Sequence, residues 1–323
     1  MQVLTLKNLS IGYKKQHSAC FIQKKLNLQL CQGEMICLIG TNGVGKSTLM
    51  KTISGLLPAL EGTVLLNDKA IDNLTLSDKS KLLTHVLTEK IDIKNATVFD
   101  IVAFGRNPYT NRWGKLSDDD KHKIEESLDL VHLADKQHNL LSELSDGEQQ
   151  RAMIAKALAQ DTAVMLLDEP TSHLDLPNRV EIMLLLHRLA HQTGKAILLS
   201  THELDLALQA ADKVWLMTSE GVTCGVPEDL VLNGNFSRAF ASKYYFFNTS
   251  NGNFSMNYPL QKFVKLNGKN TDLYWTMRAL ARAGYQVVEN AEIAIEISDN
   301  AWKIDNQTFY SIEHLLQKLL EIY

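Results

Sequence analysis

Gly40-Thr41-Asn42-Gly43-Val44-Gly45-Lys46-Ser47-Thr48 decides the fold of this 323-residue chain. The stretch fills the pattern G-x-x-x-x-G-K-[ST] of a phosphate-binding loop. Met35-Ile36-Cys37-Leu38-Ile39 before it is an apolar run that reads as a buried strand. Leu49-Met50-Lys51-Thr52-Ile53 after it reads as the start of a helix. The glycines let backbone N–H groups turn inward with no Cβ in the way. The following helix adds the partial positive charge of its N-terminus. In this setting Gly40, Asn42, Gly43, Gly45, Lys46, Ser47 and Thr48 are the expected nucleotide-binding residues. Lys46 reaches the β- and γ-phosphates, and Ser47 holds Mg²⁺.

The composition, 45% hydrophobic and 22% charged, is that of an ordinary globular protein. A formal net charge of -4 without a long basic run argues against a nucleic-acid partner. No apolar stretch approaches the roughly 20 residues of a membrane-spanning helix, and the first residues carry no signal-peptide core. The 4 cysteines form no CxxC pair and are too sparse for a disulfide scaffold, so they read as reduced thiols. The 10 histidines are scattered, and no structural metal is expected.

Residues 1–70 read as strand-rich, 77–157 as mainly helical, and the stretch from 163 to 217 as alternating strand and helix. Such alternation predicts a mainly parallel sheet wrapped by helices. The pattern breaks at the Asn- and Ser-rich stretch before Pro259. The expected division is a domain over 1–247 with a helical subdomain at about 80–160, a linker over 248–259, and a small α+β domain over 260–323. In the last, strands are expected at 261–266, 285–289, 292–297 and 302–304, with helices at 271–283 and 311–322. Asp272 to Trp275 and Met277 to Tyr285 read as an amphipathic helix, and its aromatics Tyr274, Trp275 and Tyr285 are expected to serve the domain's own core.

Two further motifs carry chemistry. Ala163 to Leu167 is an apolar strand that ends in Asp168-Glu169-Pro170. A carboxylate at the C-terminal end of a parallel strand faces the ligand crevice. Asp168 is placed to hold Mg²⁺, and Glu169 to orient or deprotonate the water that attacks the γ-phosphate. In Leu144-Ser145-Asp146-Gly147-Glu148-Gln149, Ser145 and Glu148 have capping-box spacing at a helix start. The segment reads both as a structural cap and as a second anion-binding helix N-terminus.

Leu144 to Gln149 resembles the signature sequence of the ATP-binding-cassette (ABC) ATPases. The order of motifs matches that family: phosphate loop, signature, aspartate–glutamate strand, Ser172-His173-Leu174-Asp175 similar to the D-loop, and Ser200-Thr201-His202 similar to the switch histidine. Tyr13 matches the aromatic that stacks on adenine. The resemblance implies an α/β P-loop NTPase with a helical subdomain, an ATPase with ATP and Mg²⁺ as cofactors, and a head-to-tail homodimer. Each ATP would be held by Lys46, Ser47 and Asp168 of one copy and by Ser145, Gly147 and Glu148 of the other. Glu169, His202 and Lys46 would be catalytic, His202 would contact the γ-phosphate, and Asp175 would couple the two sites.

Asp146 stands where the signature usually has Gly, as in similar importers of iron complexes. Thr88 aligns with the Gln that senses Mg²⁺, and could offer an oxygen to the metal on a shorter side chain. Gly105-Arg106-Asn107-Pro108-Tyr109 resembles the permease-docking region of ATPases serving importers of ferric siderophores, haem and cobalamin. These features imply a peripheral ATPase on the cytoplasmic face of the inner membrane, beneath an integral membrane permease and indirectly partnered by an extracytoplasmic substrate-binding protein. Competing readings are a cassette ATPase of an exporter or non-transport system, and a nucleotide-binding regulator that does not turn over.

Overall fold

Apolar β-branched and leucine-rich runs punctuated by glycine, with amphipathic segments between them, lay down the elements of the first part of the chain. The computed structural model describes residues 1–15, 18–87, 95–111, 113–298 and 300–322. The elements begin with β1 (Gln2–Lys15), β2 (Ser18–Cys31), β3 (Met35–Gly40), α1 (Lys46–Ile53), β4 (Glu61–Leu66) and β5 (Lys69–Ala70). There follow α2 (Leu76–Leu82), β6 (Leu83–Val86), α3 (Val98–Ala103), α4 (Asp118–Leu130), α5 (Asp146–Ala159) and β7 (Val164–Asp168). Then come α6 (Leu176–Thr193), β8 (Ala196–Ser200), α7 (Leu204–Ala210), β9 (Lys213–Thr218), β10 (Gly221–Gly225), α8 (Pro227–Leu232) and α9 (Asn235–Ala239).

The central sheet has the order β10-β9-β3-β8-β7-β6. β9, β3, β8, β7 and β6 run parallel, and β10 is an antiparallel edge. Every residue of β3 and of β8 is buried, the signature of parallel strands covered on both faces. A second, antiparallel sheet has the order β2-β1-β4-β5. Leu4, Leu6, Leu9 and Ile11 of β1 and Leu30 of β2 pack with Ile36 and Leu38 of β3 and with Leu49, Met50 and Ile53 of α1 in one core. This core fixes the phosphate loop between two sheets. The C-terminal ends of β3, β7 and β8 present Gly40, Asp168 and Ser200 side by side, since β7 and β8 pair Asp168 with Ser200.

Arg106 ties the helical part together. It is buried, its Nε donates to Asp120 Oδ1 at 2.8 Å, and its Nη1 donates to the Ala159 carbonyl at 2.7 Å. The Tyr109 ring lies 4.1 Å from its guanidinium. The arginine of the motif read as permease-docking is therefore an internal tie between the residue 106 turn, α4 and the end of α5. Phe104 and Trp113 from the same stretch are exposed.

The chain divides into two compact units, Met1–Phe240 with Thr249–Asn253, and Ala241–Asn248 with Phe254–Tyr323. Most of the stretch expected as a linker is a hairpin of β11 (Tyr245–Asn248) and β12 (Asn253–Met256). The second unit continues with β13 (Lys262–Asn267), α10 (Asn270–Arg282), β14 (Tyr285–Val287), β15 (Ala294–Ser298), β16 (Ala301–Ile304), β17 (Gln307–Phe309) and α11 (Ile312–Ile322). Its sheet has the order β14-β13-β15-β16-β17. Val264, Leu280, Tyr285, Ile295, Trp302, Leu315 and Leu319 form the core. The polar tips of its two large aromatics are paired, Tyr285 Oη with the Leu319 carbonyl at 3.0 Å and Trp302 Nε1 with Thr276 Oγ1 at 2.7 Å.

Of the three aromatics expected in this core, Tyr285 is there, and the expectation is corrected for Tyr274 and Trp275. Thr276, Ala279 and Leu280 form the buried stripe of α10, which leaves Tyr274 and Trp275 exposed on the other face. There the Arg278 guanidinium sits 5.1 Å from the Trp275 ring. Among the described residues no helix is long and apolar enough to cross a membrane.

Candidate active site

The phosphate loop leaves β3 at Gly40 and enters α1 at Lys46. Gly40 has φ +155°, and a Cβ there would lie 2.2 Å from the Met217 carbonyl oxygen of β9. Gly45 has φ +108°, and its Cβ would lie 2.4 Å from Ile22 Cγ2. Glycine is required at both positions by close approach as well as by dihedral. No side chain caps α1, so its first N–H groups remain for a ligand. Lys46 is buried under the loop and its Nζ donates to the Gly40 carbonyl at 2.8 Å and to Thr41 O at 3.3 Å. Burial pulls its pKa below the usual lysine range, against the opposing pull of Glu169 and Asp168. Asn42, Gly43 and Ser47 are exposed, and Thr48 is buried.

Tyr13, 49% exposed, stands beside this loop with its hydroxyl 3.2 Å from Thr48 Oγ1. The ring offers a flat apolar face at the rim, suited to stacking a nucleobase.

The acidic group lies at the ends of β7 and β8. Ser200 Oγ donates to Asp168 Oδ1 at 2.5 Å and accepts from the Glu169 N–H at 3.1 Å. The Ser200 carbonyl also accepts from Glu169 N at 3.1 Å. Glu169 holds a left-handed φ of +48°, rare for a non-glycine residue and typical of functional turns. Its Oε1 lies 2.9 Å from His202 Nε2. The structure thus brings Asp168, Glu169 and His202 together, with Lys46 close enough to feel both carboxylates.

Ser145, Gly147, Glu148 and Asp175 form a second cluster, built from the N-termini of α5 and α6. Ser145 Oγ and N–H both meet Glu148 Oε2 at 2.9 Å in a capping box. Lys136 pairs with the same carboxyl. The Lys136 bond, aided by the Ser145 N–H, holds the Glu148 pKa down at about 2. Asp175 caps α6, accepting from Asn178 Nδ2 at 2.5 Å. A Cβ on Gly147 would lie 2.2 Å from Asn178 Oδ1. Gly147 therefore lets α5 seat directly on the start of α6. The expected metal ligand Thr88 lies outside the described residues.

Three residues escaped the sequence reading. Ser200 joins the two acids, Asn178 joins Gly147 to Asp175, and Gln23 props the loop. Gln23 is buried in β2 and its Nε2 donates to Thr218 O at 2.6 Å and to Val44 O at 3.3 Å. Ser200 stood inside a motif already singled out and could have been found there. Gln23 had no local signal.

A glycine-rich loop on an uncapped helix, with a lysine, an acidic pair and a histidine at the ends of parallel strands, defines a P-loop nucleotide hydrolase. Residues 23–172 match the ABC transporter family and residues 261–320 match the iron ABC transporter C-terminal domain. An uncharacterised ABC transporter ATP-binding protein of Methanocaldococcus jannaschii is 43% identical over 230 residues, covering 71% of this chain and 78% of that protein. The petrobactin import ATP-binding protein FpuC of Bacillus anthracis is 35% identical over 228 residues, covering 69% of this chain and 83% of that one. The solved dimeric structure of a bacterial ABC transporter cassette superimposes with a TM-score of 0.59 at 26% identity, covering 69% of this chain and 98% of that one. The chain belongs to the ATP-binding subunits of ABC transporters, and it is an ATPase of that family.

Proposed function

We propose that this chain is the ATP-hydrolysing subunit of an importer for an iron complex, a ferric siderophore or haem. In this reading it works as a head-to-tail homodimer on the cytoplasmic face of the membrane, beneath a separate permease. The observation that carries the reading is the pairing, in one chain, of the Lys46 loop and the Asp168–Glu169–His202 group with a carboxy-terminal domain of the iron ABC transporter type. The relative named for petrobactin import adds support, and favours iron complexes over cobalamin.

The residues have distinct work in this reading. The Ser47 hydroxyl and the Asp168 carboxylate are hard oxygen donors that fit Mg²⁺. When bound, Mg²⁺ offsets the charge of the β- and γ-phosphates. Ser200 holds Asp168 in place, Lys46 binds the terminal phosphates, and Tyr13 stacks on the base. Glu169 accepts the proton of the attacking water, and His202, already hydrogen-bonded to Glu169, orients it. Ser145, Gly147 and Glu148 face the nucleotide of the partner copy, and Asp175 links the two sites. The dimeric cassette structure supports this assembly. Exposed Phe104 and Trp113, the latter 87% accessible, supply apolar surface to the permease.

The test is uptake of labelled ferric siderophores and haem by cells that lack this chain, complemented with wild type or Lys46→Ala. Selective loss of one cargo, restored only by wild type, is expected. Undiminished uptake of every iron complex, in cells without a redundant system, overturns the import reading.

A further inference from the structure

At the amino-terminal ends of β3 and β9, opposite the ends that carry the nucleotide site, three metal-ligating side chains converge. His187 and His191 are one helical turn apart on α6, at i and i+4, so both imidazoles project from the same helix face. Asp212 stands immediately before β9. One ring nitrogen of His187, one of His191 and a carboxylate oxygen of Asp212 lie within 4.8 Å of one another. His191 Nε2 is already 3.1 Å from Asp212 Oδ1, and the two imidazole rings meet edge to face with centroids 4.5 Å apart.

Two further observations point to a ligand rather than to a chance cluster. His187 Nδ1 is buried with no hydrogen-bond partner among the described residues. An imidazole nitrogen stripped of water and left unpaired costs free energy, and a positive ion nearby is one way to recover it. The carboxylate is also held in advance. Asp212 Oδ2 accepts the Met35 N–H at 2.7 Å, while the Asp212 N–H donates to the Met35 carbonyl at 3.0 Å. That bond occupies one carboxylate oxygen and leaves Oδ1 turned to His191. A backbone partner behind a ligating carboxylate is the usual outer support of a metal site.

We infer that His187, His191 and Asp212 form a binding site for a borderline divalent transition-metal ion, Zn²⁺ or Fe²⁺. The donor set decides the class. Two imidazoles and one carboxylate suit Zn²⁺ or Fe²⁺, whereas Mg²⁺ takes oxygen donors almost alone. With metal–ligand bonds of about 2.0–2.2 Å, ligand atoms on one tetrahedral ion stand about 3.3 Å apart. Separations of no more than 4.8 Å therefore close by at most about 1.5 Å, within the swing of a histidine side chain. Three protein ligands leave a fourth position for water.

This site is distinct from the one that holds the nucleotide. Met35 and Gly40 are the two ends of β3, roughly 17 Å apart at about 3.3 Å per residue. The ion clips the last two turns of α6 to the base of β3 and β9. It binds the folded chain alone, since the unfolded chain does not bring Asp212 to the histidines, and so it raises stability. The inference stands independently of the cargo assigned above.

The experiment is calorimetric titration of the nucleotide-free full chain with Zn²⁺, and anaerobically with Fe²⁺, in buffer holding excess Mg²⁺. One equivalent of either ion per chain is expected, with a rise in Tm. His187→Gln, His191→Gln and Asp212→Asn each weaken that binding by at least about tenfold and abolish the Tm rise. Asp212→Asn retains an oxygen for the Met35 N–H and His191 is half exposed, so these variants fold, which metal-free circular dichroism checks. Asp168→Asn, on the nucleotide side, leaves the equivalent in place. Three results overturn the inference: no stoichiometric binding, an equivalent that survives in His187→Gln/His191→Gln, or a site saturated by Mg²⁺ alone.

Discussion

Ser200→Ala tests whether the acidic pair is held by one hydroxyl. Ser200 is 1% exposed, so no water replaces its Oγ freely. The substitution removes the 2.5 Å bond to Asp168 Oδ1 and one of two acceptors of the Glu169 N–H. The other acceptor, the Ser200 carbonyl at 3.1 Å, remains. The loss is therefore one hydrogen bond to a charged carboxylate, about 1.5–3 kcal/mol. If all of it falls on the orientation of Asp168, the Mg²⁺ requirement rises roughly 10–100-fold, at about 1.4 kcal/mol per decade. Global stability falls by no more than about 3 kcal/mol, because the strand pairing of β7 and β8 is untouched. The assay is ATPase rate against Mg²⁺ concentration at saturating ATP, with urea unfolding of the same preparation. A Mg²⁺ curve that coincides with wild type refutes the positioning role of Ser200. A curve that shifts only as far as the protein unfolds assigns the serine to stability instead.

Three more outcomes are expected. Glu169→Gln lowers kcat by about 10²–10⁴ while ATP binding persists; a rate within tenfold of wild type, measured by phosphate release, sinks the assignment of Glu169 as base. His85 is half-buried in β6, and among the described residues neither ring nitrogen has a hydrogen-bond partner; burial pulls its pKa below the ordinary 6.5, partly opposed by Asp168. The unfolded chain then binds the proton more readily than the folded one, so stability is full above pH 6.5 and declines as pH falls below it. His85→Leu flattens that decline in urea titrations at pH 5 to 7, and an unchanged slope is the contrary result. Arg106→Met leaves Asp120 buried without its cation, at a cost of about 3 kcal/mol, the low end of the range for such pairs. The low end applies because Ser117 N and Oγ still donate to Asp120 Oδ2, at 2.9 and 2.6 Å; denaturation midpoints equal to wild type count against it.

What could be read in the sequence follows from how local its physical causes are. Gly40 to Thr48 and Ala163 to Glu169 announce themselves because strand, turn and helix signals lie within a few residues of the reactive groups. Gln23 reaches Thr218, a separation of 195 residues, and such a bond leaves no mark on the neighbours of either partner. His187 and His191 have a recognisable spacing, yet Asp212 comes from another element 21 residues beyond His191. Tyr274 and Trp275 of α10 face outward because Thr276, Ala279 and Leu280 take the buried stripe, and the apolar bulk of two adjacent aromatics does not say which face of a helix is covered. The motif at Gly105 to Tyr109 resembles a docking region, yet Arg106 within it is internal because it bonds Asp120 and the Ala159 carbonyl across the helical part.

The two helix N-termini read as phosphate sites are built differently, and the difference bears on how a dimer would close. α1 begins at Gly45 with no side-chain cap and no acid in its first turn. Its N–H groups and positive end are free for an anion, so one copy alone can hold the triphosphate. α5 begins with Ser145 and Glu148 capping each other, and has Asp146 and Glu148 in its first turn. With the Glu148 pKa held at about 2 by Lys136, that carboxyl stays ionised at any working pH. Two acidic side chains stand in the first turn where a phosphate would arrive, and Lys136 pairs with that of Glu148. On the head-to-tail reading, the α5 end is a weak half-site that gains an anion only when the partner's loop presents one already neutralised by Lys46 and Mg²⁺. Asp146→Gly removes one of the two charges, and is expected to strengthen ATP-dependent dimerisation severalfold at low salt, with the gain fading as salt screens it. Equal dimer dissociation constants for wild type and Asp146→Gly, by analytical ultracentrifugation with Glu169→Gln in both, would falsify the weak half-site.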